Sequence, residues 1–146
     1  MEKTAFETAH MAALNPQQKA AVAAVDGPVL LLAVPGSGKT TVLITRLGYM
    51  VLCCDVPPAQ ILTMTYTVAA TQEMRARFAA RFGDGEAARM EFRTINGVAA
   101  RIIALYSRMY GRTPPDLLQS ESETTPLLLQ LWQSINHEYA AESTLK

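Results

Sequence analysis

Apolar and polar positions change period several times along the chain, and each change marks an element. Asn15-Pro16 reads as a helix N-cap followed by proline at the first helical position, opening an Ala-rich helix through about Val25 that Asp26-Gly27-Pro28 stops. From Val29 to Val34 the chain is apolar without polar alternation, the pattern of a strand buried on both faces of a parallel sheet. Leu43, Leu47, Met50 and Cys54 then recur at spacings of four, three and four, one face of a helix ended by Pro57-Pro58.

Ile61-Leu62-Thr63-Met64-Thr65 predicts a second strand, and Met74, Phe78 and Phe82 mark the inner face of a second helix ending near Gly83. Met90-Glu91-Phe92-Arg93 alternates as a short strand, and Ile95, Val98, Ile102, Tyr106 and Met109 repeat at helical spacing as far as Gly111. Strands alternating with helices predict an α/β fold with a parallel sheet and right-handed crossovers. Thr113-Pro114-Pro115-Asp116 breaks the pattern, and beyond it Leu128, Leu131, Ile135 and Tyr139 define a last amphipathic helix with no strand before it. The expected division is a sheet-bearing part over residues 1–116 and a helical extension over 117–146.

Composition narrows the function classes. The chain has 146 residues, 49% of them apolar and 18% charged, a length that suits one domain. Its formal net charge is zero, so any affinity for nucleic acid must come from a local patch. No run reaches the roughly 18 apolar residues of a membrane span, and Glu2 and Glu7 argue against a leader peptide, so the expected location is cytoplasmic. Adjacent Cys53 and Cys54 read as small buried hydrophobes rather than a disulfide.

The richest chemistry lies between the first apolar run and the helix after it, in Ala33-Val34-Pro35-Gly36-Ser37-Gly38-Lys39-Thr40. Glycines at 36 and 38 allow the backbone to take positive φ and curl around phosphate oxygens, with several N–H groups pointing inward at the start of a helix. Lys39 is placed to reach the β- and γ-phosphates of a nucleoside triphosphate, and the Thr40 hydroxyl to be a ligand of Mg²⁺. The strict form of this phosphate-loop motif has Gly at the position of Ala33.

Three further segments, in order, resemble the front of the UvrD/PcrA/Rep-like superfamily 1 DNA helicases. Leu14-Asn15-Pro16-Gln17-Gln18-Lys19-Ala20-Ala21-Val22 resembles the family's Q motif, which implies that the amide of Gln18 bonds the adenine edge of ATP. Ile61 to Ala70 with Glu73-Met74 looks like motif Ia, implying that Thr65 and Tyr66 contact single-stranded DNA, with the Tyr66 ring offering a face on which a base stacks. Phe92-Arg93-Thr94-Ile95-Asn96-Gly97-Val98 is similar to motif Ib, implying a DNA-phosphate contact at Thr94. The resemblance also implies a RecA-like P-loop fold, with Ala33, Pro35, Gly36, Ser37, Gly38, Lys39, Thr40 and Thr41 around the nucleotide and Lys39 acting on the transferred phosphoryl group.

Departures are visible as well: Val68 and Ala69 stand where the family usually has Asn and Lys, Thr41 where many relatives have Arg, and Ile95-Asn96-Gly97 where most read Phe-His-Ser. Hydrolysis in such enzymes needs an acidic pair after a later strand, and the sequence contains no Asp-Glu dipeptide. The expectation is therefore an N-terminal portion of a larger helicase, one that binds ATP weakly or not at all and does not turn it over alone. Its partners would be the remaining helicase domains and single-stranded DNA. Two other readings stand beside it: a non-enzymatic nucleotide- or DNA-binding module, and a small P-loop kinase.

Overall fold

The computed structural model describes residues 1–113, 118, 120–139 and 141. Its elements, in chain order, are α1 (Lys3–His10), α2 (Pro16–Ala23), α3 (Lys39–Cys53), β1 (Leu62–Thr65), α4 (Val68–Phe82), α5 (Asp84–Arg89), β2 (Glu91–Thr94), α6 (Ile95–Met109) and α7 (Glu121–Asn136). The chain divides into two compact units, Met1–Ile102 and Ile103–Lys146. The expected boundary between 116 and 117 lies outside the described residues.

The first unit is α/β. β1 and β2 pair in parallel, with Leu62 opposite Glu91 and Thr65 opposite Thr94, and α4 and α5 form the crossover between them. Ile44, Leu47, Ile61, Met74, Phe78, Ala87, Met90 and Phe92 make one core beside this sheet. A second core gathers Phe6, Met11, Leu14, Val22, Val42 and Tyr49 around α1, α2 and α3, and Phe82 packs against both. The sequence pattern did not disclose α1, yet its Phe6 is fully buried.

Three features lock the helices. Gly48, in the middle of α3, faces the Phe82 ring of α4 so closely that a Cβ there would sit 2.3 Å from Phe82 Cζ. Glycine inside a helix costs about 1 kcal/mol relative to alanine, and here that cost is offset by the approach of an aromatic ring to the backbone. Arg81 of α4 donates to the Oγ1 of fully buried Thr45 at 2.7 Å and to the carbonyl of His10, joining α4, α3 and the end of α1. On the other side of α3, Arg46 donates to the Ala21 carbonyl at 2.8 Å and holds α2.

The structure corrects the expected strand at Val29–Val34. Among the described residues no segment forms a ladder with it, and a parallel strand exists only through the neighbour that takes its N–H and C=O groups. Leu30 and Leu32 are each 83% exposed rather than buried on two faces. In α3 the buried positions are Val42, Ile44, Thr45, Leu47, Gly48 and Tyr49, whereas Leu43 is exposed, so the face deduced from spacing is rotated. Cys53 and Cys54 are free thiols, half-buried at the edge of the second core.

In α6 the repeat Ile95, Ile102, Tyr106 and Met109 faces solvent. The second unit contains α7, which ends at Asn136 where His137 takes φ 56° and returns its N–H to the Gln133 carbonyl, so Tyr139 lies beyond the helix. None of the described α7 residues is buried. Among the described residues no helix is long and apolar enough to cross a membrane.

Candidate functional site

Asn15 sets one wall of the principal site. Its side chain accepts from the Gln18 backbone N–H while the Gln18 Oε1 accepts from the Asn15 N–H, both at 2.9 Å, a reciprocal capping box that satisfies two of the donors a helix start leaves unpaired. The same box orients the Gln18 side chain. Its Nε2 crosses to the loop and donates to the Ser37 carbonyl at 3.1 Å.

The loop itself turns on glycine. Gly36 (φ 78°) and Gly38 (φ 79°) both lie in the left-handed region, and Gly38 is the N-cap of α3. Pro35 precedes them. The Ser37 N–H and Oγ both return to the Val34 carbonyl, at 3.2 and 2.7 Å, closing the turn. Lys39, the first residue of α3, folds its ammonium back to the carbonyls of Ala33 (3.3 Å) and Val34 (2.8 Å). Thr40 follows half-buried and Thr41 exposed on the first turn, the carbonyl of Thr41 accepting from Thr45 Oγ1 at 2.7 Å.

These pieces enclose a cavity of about 500 Å³ lined by Asn15, Gln17, Gln18, Leu31 to Val34, Ser37, Lys39 and Val42. Its size falls in the range of small-molecule sites, and its apolar wall with a few convergent polar groups is their usual chemistry. Of the sequence-derived nucleotide residues, Gln18, Ala33, Ser37 and Lys39 meet in this cavity, whereas Pro35, Gly36, Gly38, Thr40 and Thr41 are not among its lining. Asn15, Leu31 and Leu32 also line it, and spacing alone did not nominate them.

A second candidate surface lies at the C-terminal ends of β1 and β2. Thr67 caps α4 by accepting from the Ala70 N–H at 3.1 Å, and Thr94 accepts from the Gly97 N–H at 3.0 Å at the start of α6. A cavity of about 210 Å³ opens between them, lined by Val68, Thr71, Gln72, Phe92, Arg93, Thr94 and Gly97. Thr94 is in that lining and Thr65 and Tyr66 are not. Tyr66, two positions before the lining residue Val68, stands 89% exposed, whereas Thr65 turns its hydroxyl to Thr71 and to the Thr67 carbonyl.

Arg93 lines this cavity, and both Arg93 and Arg101 ion-pair with Glu91. Their hydrogen bonds draw the Glu91 carboxyl down from an ordinary 4.5 to about 2. Among the described residues no three His, Cys, Asp or Glu side chains converge as a metal site.

With both surfaces defined, comparison with known proteins is decisive. Residues 14–145 match the UvrD/REP helicase N-terminal domain. The chain belongs to that family. Similar proteins include the ATP-dependent DNA helicase UvrD1 of Mycobacterium leprae, 36% identical over 118 residues, covering 81% of this chain and 15% of the relative. The ATP-dependent DNA helicase PcrA of Bacillus subtilis is 44% identical over 75 residues, covering 51% of this chain and 10% of that protein. The putative ATP-dependent DNA helicase YjcD of Bacillus subtilis is 43% identical over 70 residues, covering 48% and 9%. This UvrD/REP-type chain thus spans 15% or less of the length of these helicases. The matched region begins at Leu14, after α1, so Asn15, Gln18 and the loop at 33–40 lie inside it.

Proposed function

We propose that Ala33–Thr40 is the phosphate loop of a RecA-like ATP site and that the chain is the ATP-binding N-terminal portion of a UvrD-like DNA helicase. The observation that carries this reading is the meeting of Gln18, Ser37 and Lys39 around one cavity of about 500 Å³, beside two glycines at positive φ. Positive φ at Gly36 and Gly38 suits a loop whose N–H groups cradle an anion. The Lys39 ammonium, now resting on carbonyls of its own loop, is free to exchange them for β- and γ-phosphate oxygens, a stronger charge-assisted partner. Thr40 would hold Mg²⁺ through its hydroxyl, and the bound ion would neutralise charge on the phosphate oxygens. Gln18 borders the cavity where an adenine edge would lie.

In the complete helicase, ATP hydrolysis would drive movement along single-stranded DNA and separation of the duplex. The second surface supplies the DNA side of that cycle: the exposed Tyr66 ring stacks on a base without regard to sequence, and Thr94, beside the start of α6, meets a phosphate. With no Asp-Glu pair, the chain alone is expected to bind ATP weakly or not at all and not to hydrolyse it. Addition of MgATP and of single-stranded DNA, followed by NMR, tests the assignment: ATP shifts the amides of 36–40 and DNA those of 65–67 and 94–97. Shifts in the opposite assignment contradict it, as does Mg²⁺-dependent ATP hydrolysis by the chain alone that vanishes in Lys39→Ala.

A further inference from the structure

Both ends of the Gln18 amide are already in use. Oε1 takes the Asn15 N–H at 2.9 Å, fixing the side chain to its own helix start, and Nε2 gives a hydrogen to the Ser37 carbonyl at 3.1 Å. Ser37 sits between the two glycines of positive φ, the part of the loop with the widest conformational freedom. The approach is close: a Cβ on Gly38 would lie 3.5 Å from Gln18 Nε2. The other loop bonds run from Ser37 and Lys39 back to Ala33 and Val34, and from the Val42 N–H of the following helix α3 to the Gly38 carbonyl. Gln18 thus ties the loop to α2, an element not continuous with it in sequence, and α2 is itself anchored to α3 by Arg46 on Ala21.

We infer that Gln18 is a positioning residue for the phosphate loop, bracing the Gly36-Ser37-Gly38 turn through the Ser37 carbonyl whether or not a base is present. This deepens the reading of the loop as a phosphate site and rests on it. A side chain that only read adenine would leave the loop unchanged when replaced and would matter only to ligands that carry a base. A brace affects the loop before any ligand arrives, and phosphate binding without any base. The Nε2 group carries a second hydrogen, so the same amide can hold the Ser37 carbonyl and still offer a donor to an adenine edge.

Two substitutions separate the roles. Gln18→Glu retains an oxygen for the Asn15 N–H and so keeps the capping box, but its carboxylate has no hydrogen for Ser37. In the ligand-free chain this variant is expected to shift the Ser37 carbonyl carbon and the Gly36 and Gly38 amides in NMR spectra, with the α2 amides near their original positions. Gln18→Ala is then titrated with ATP and with inorganic tripolyphosphate, each with Mg²⁺. The brace predicts that both ligands weaken by a similar factor, about three- to tenfold, the range of one neutral hydrogen bond. Unchanged loop resonances in Gln18→Glu overturn the inference, as does a Gln18→Ala variant that loses ATP affinity but keeps tripolyphosphate affinity. If neither ligand shifts the loop amides of the original chain, the phosphate-site assignment fails instead, and the ligand-free spectra still decide whether Gln18 holds the loop.

Discussion

Lys39 Nζ donates to the carbonyl of Val34, five positions back along the chain, at 2.8 Å. The helix that begins at Lys39 and the apolar segment that ends at Val34 are thus joined by the side chain assigned to the triphosphate. Replacing those carbonyls by phosphate trades dipoles for full charges, so Lys39→Ala is expected to lower MgATP affinity about tenfold or more, the range of a hydrogen bond to a charged group. Titration followed by NMR measures the change. Equal affinity in the variant would remove Lys39 from the site.

Gly48 lies directly against the Phe82 ring. A methyl group there meets the Phe82 ring at a distance no real contact shows, so Gly48→Ala is expected to destabilise the first unit by about 1–3 kcal/mol despite the better helix propensity of alanine. Urea unfolding of Gly48→Ala and of Gly48→Ala with Phe82→Leu checks this. The double variant should recover part of the loss, because the two side chains share one space.

That constraint shows what the sequence did and did not disclose. Asn15-Pro16 announced α2 because capping is local chemistry, and the glycines at 36 and 38 announced a turn because few other residues take positive φ. Met74 and Phe78 announced the inner face of α4. Gly48 carried no such signal, since its need arises from a ring 34 positions away in the sequence. The segment 29–34 misled for a related reason: an apolar run states a demand for burial, whereas a strand also requires a neighbour. Helix α1 went unseen because Phe6 and Met11 are too few to show a period, though both are buried.

Glu91 gives the fold an acid-side dependence. Its folded carboxyl titrates at about 2 instead of 4.5, held down by hydrogen bonds from Arg93 and Arg101. A depressed carboxyl contributes stability that is present above its unfolded value and lost as pH falls through the folded one, here from about pH 4.5 towards 2. The carboxyl is partly open to solvent, so salt also weakens the contribution. Thermal unfolding between these pH values should show a shallower pH slope in Glu91→Gln than in the original chain. Parallel slopes would show that the ion pairs do not form in solution.

Tyr66 is almost wholly exposed, so its replacement should leave folding intact. Tyr66→Ala is expected to weaken single-stranded DNA binding by about 1–3 kcal/mol, equally for thymine- and adenine-rich oligonucleotides, as base stacking on an aromatic face predicts. Fluorescence anisotropy at one fixed salt concentration measures this. A loss confined to one sequence would point to hydrogen-bonded base reading instead.

The most direct test of the central assignment is an NMR titration of the chain with MgATP to millimolar concentration. The phosphate-site account predicts shifts centred on the amides of Gly36 to Thr40 and on the Gln18 side-chain amide, strongly reduced at the same MgATP concentration in Lys39→Ala. Shifts absent from that loop, or present and unchanged in Lys39→Ala, would contradict it.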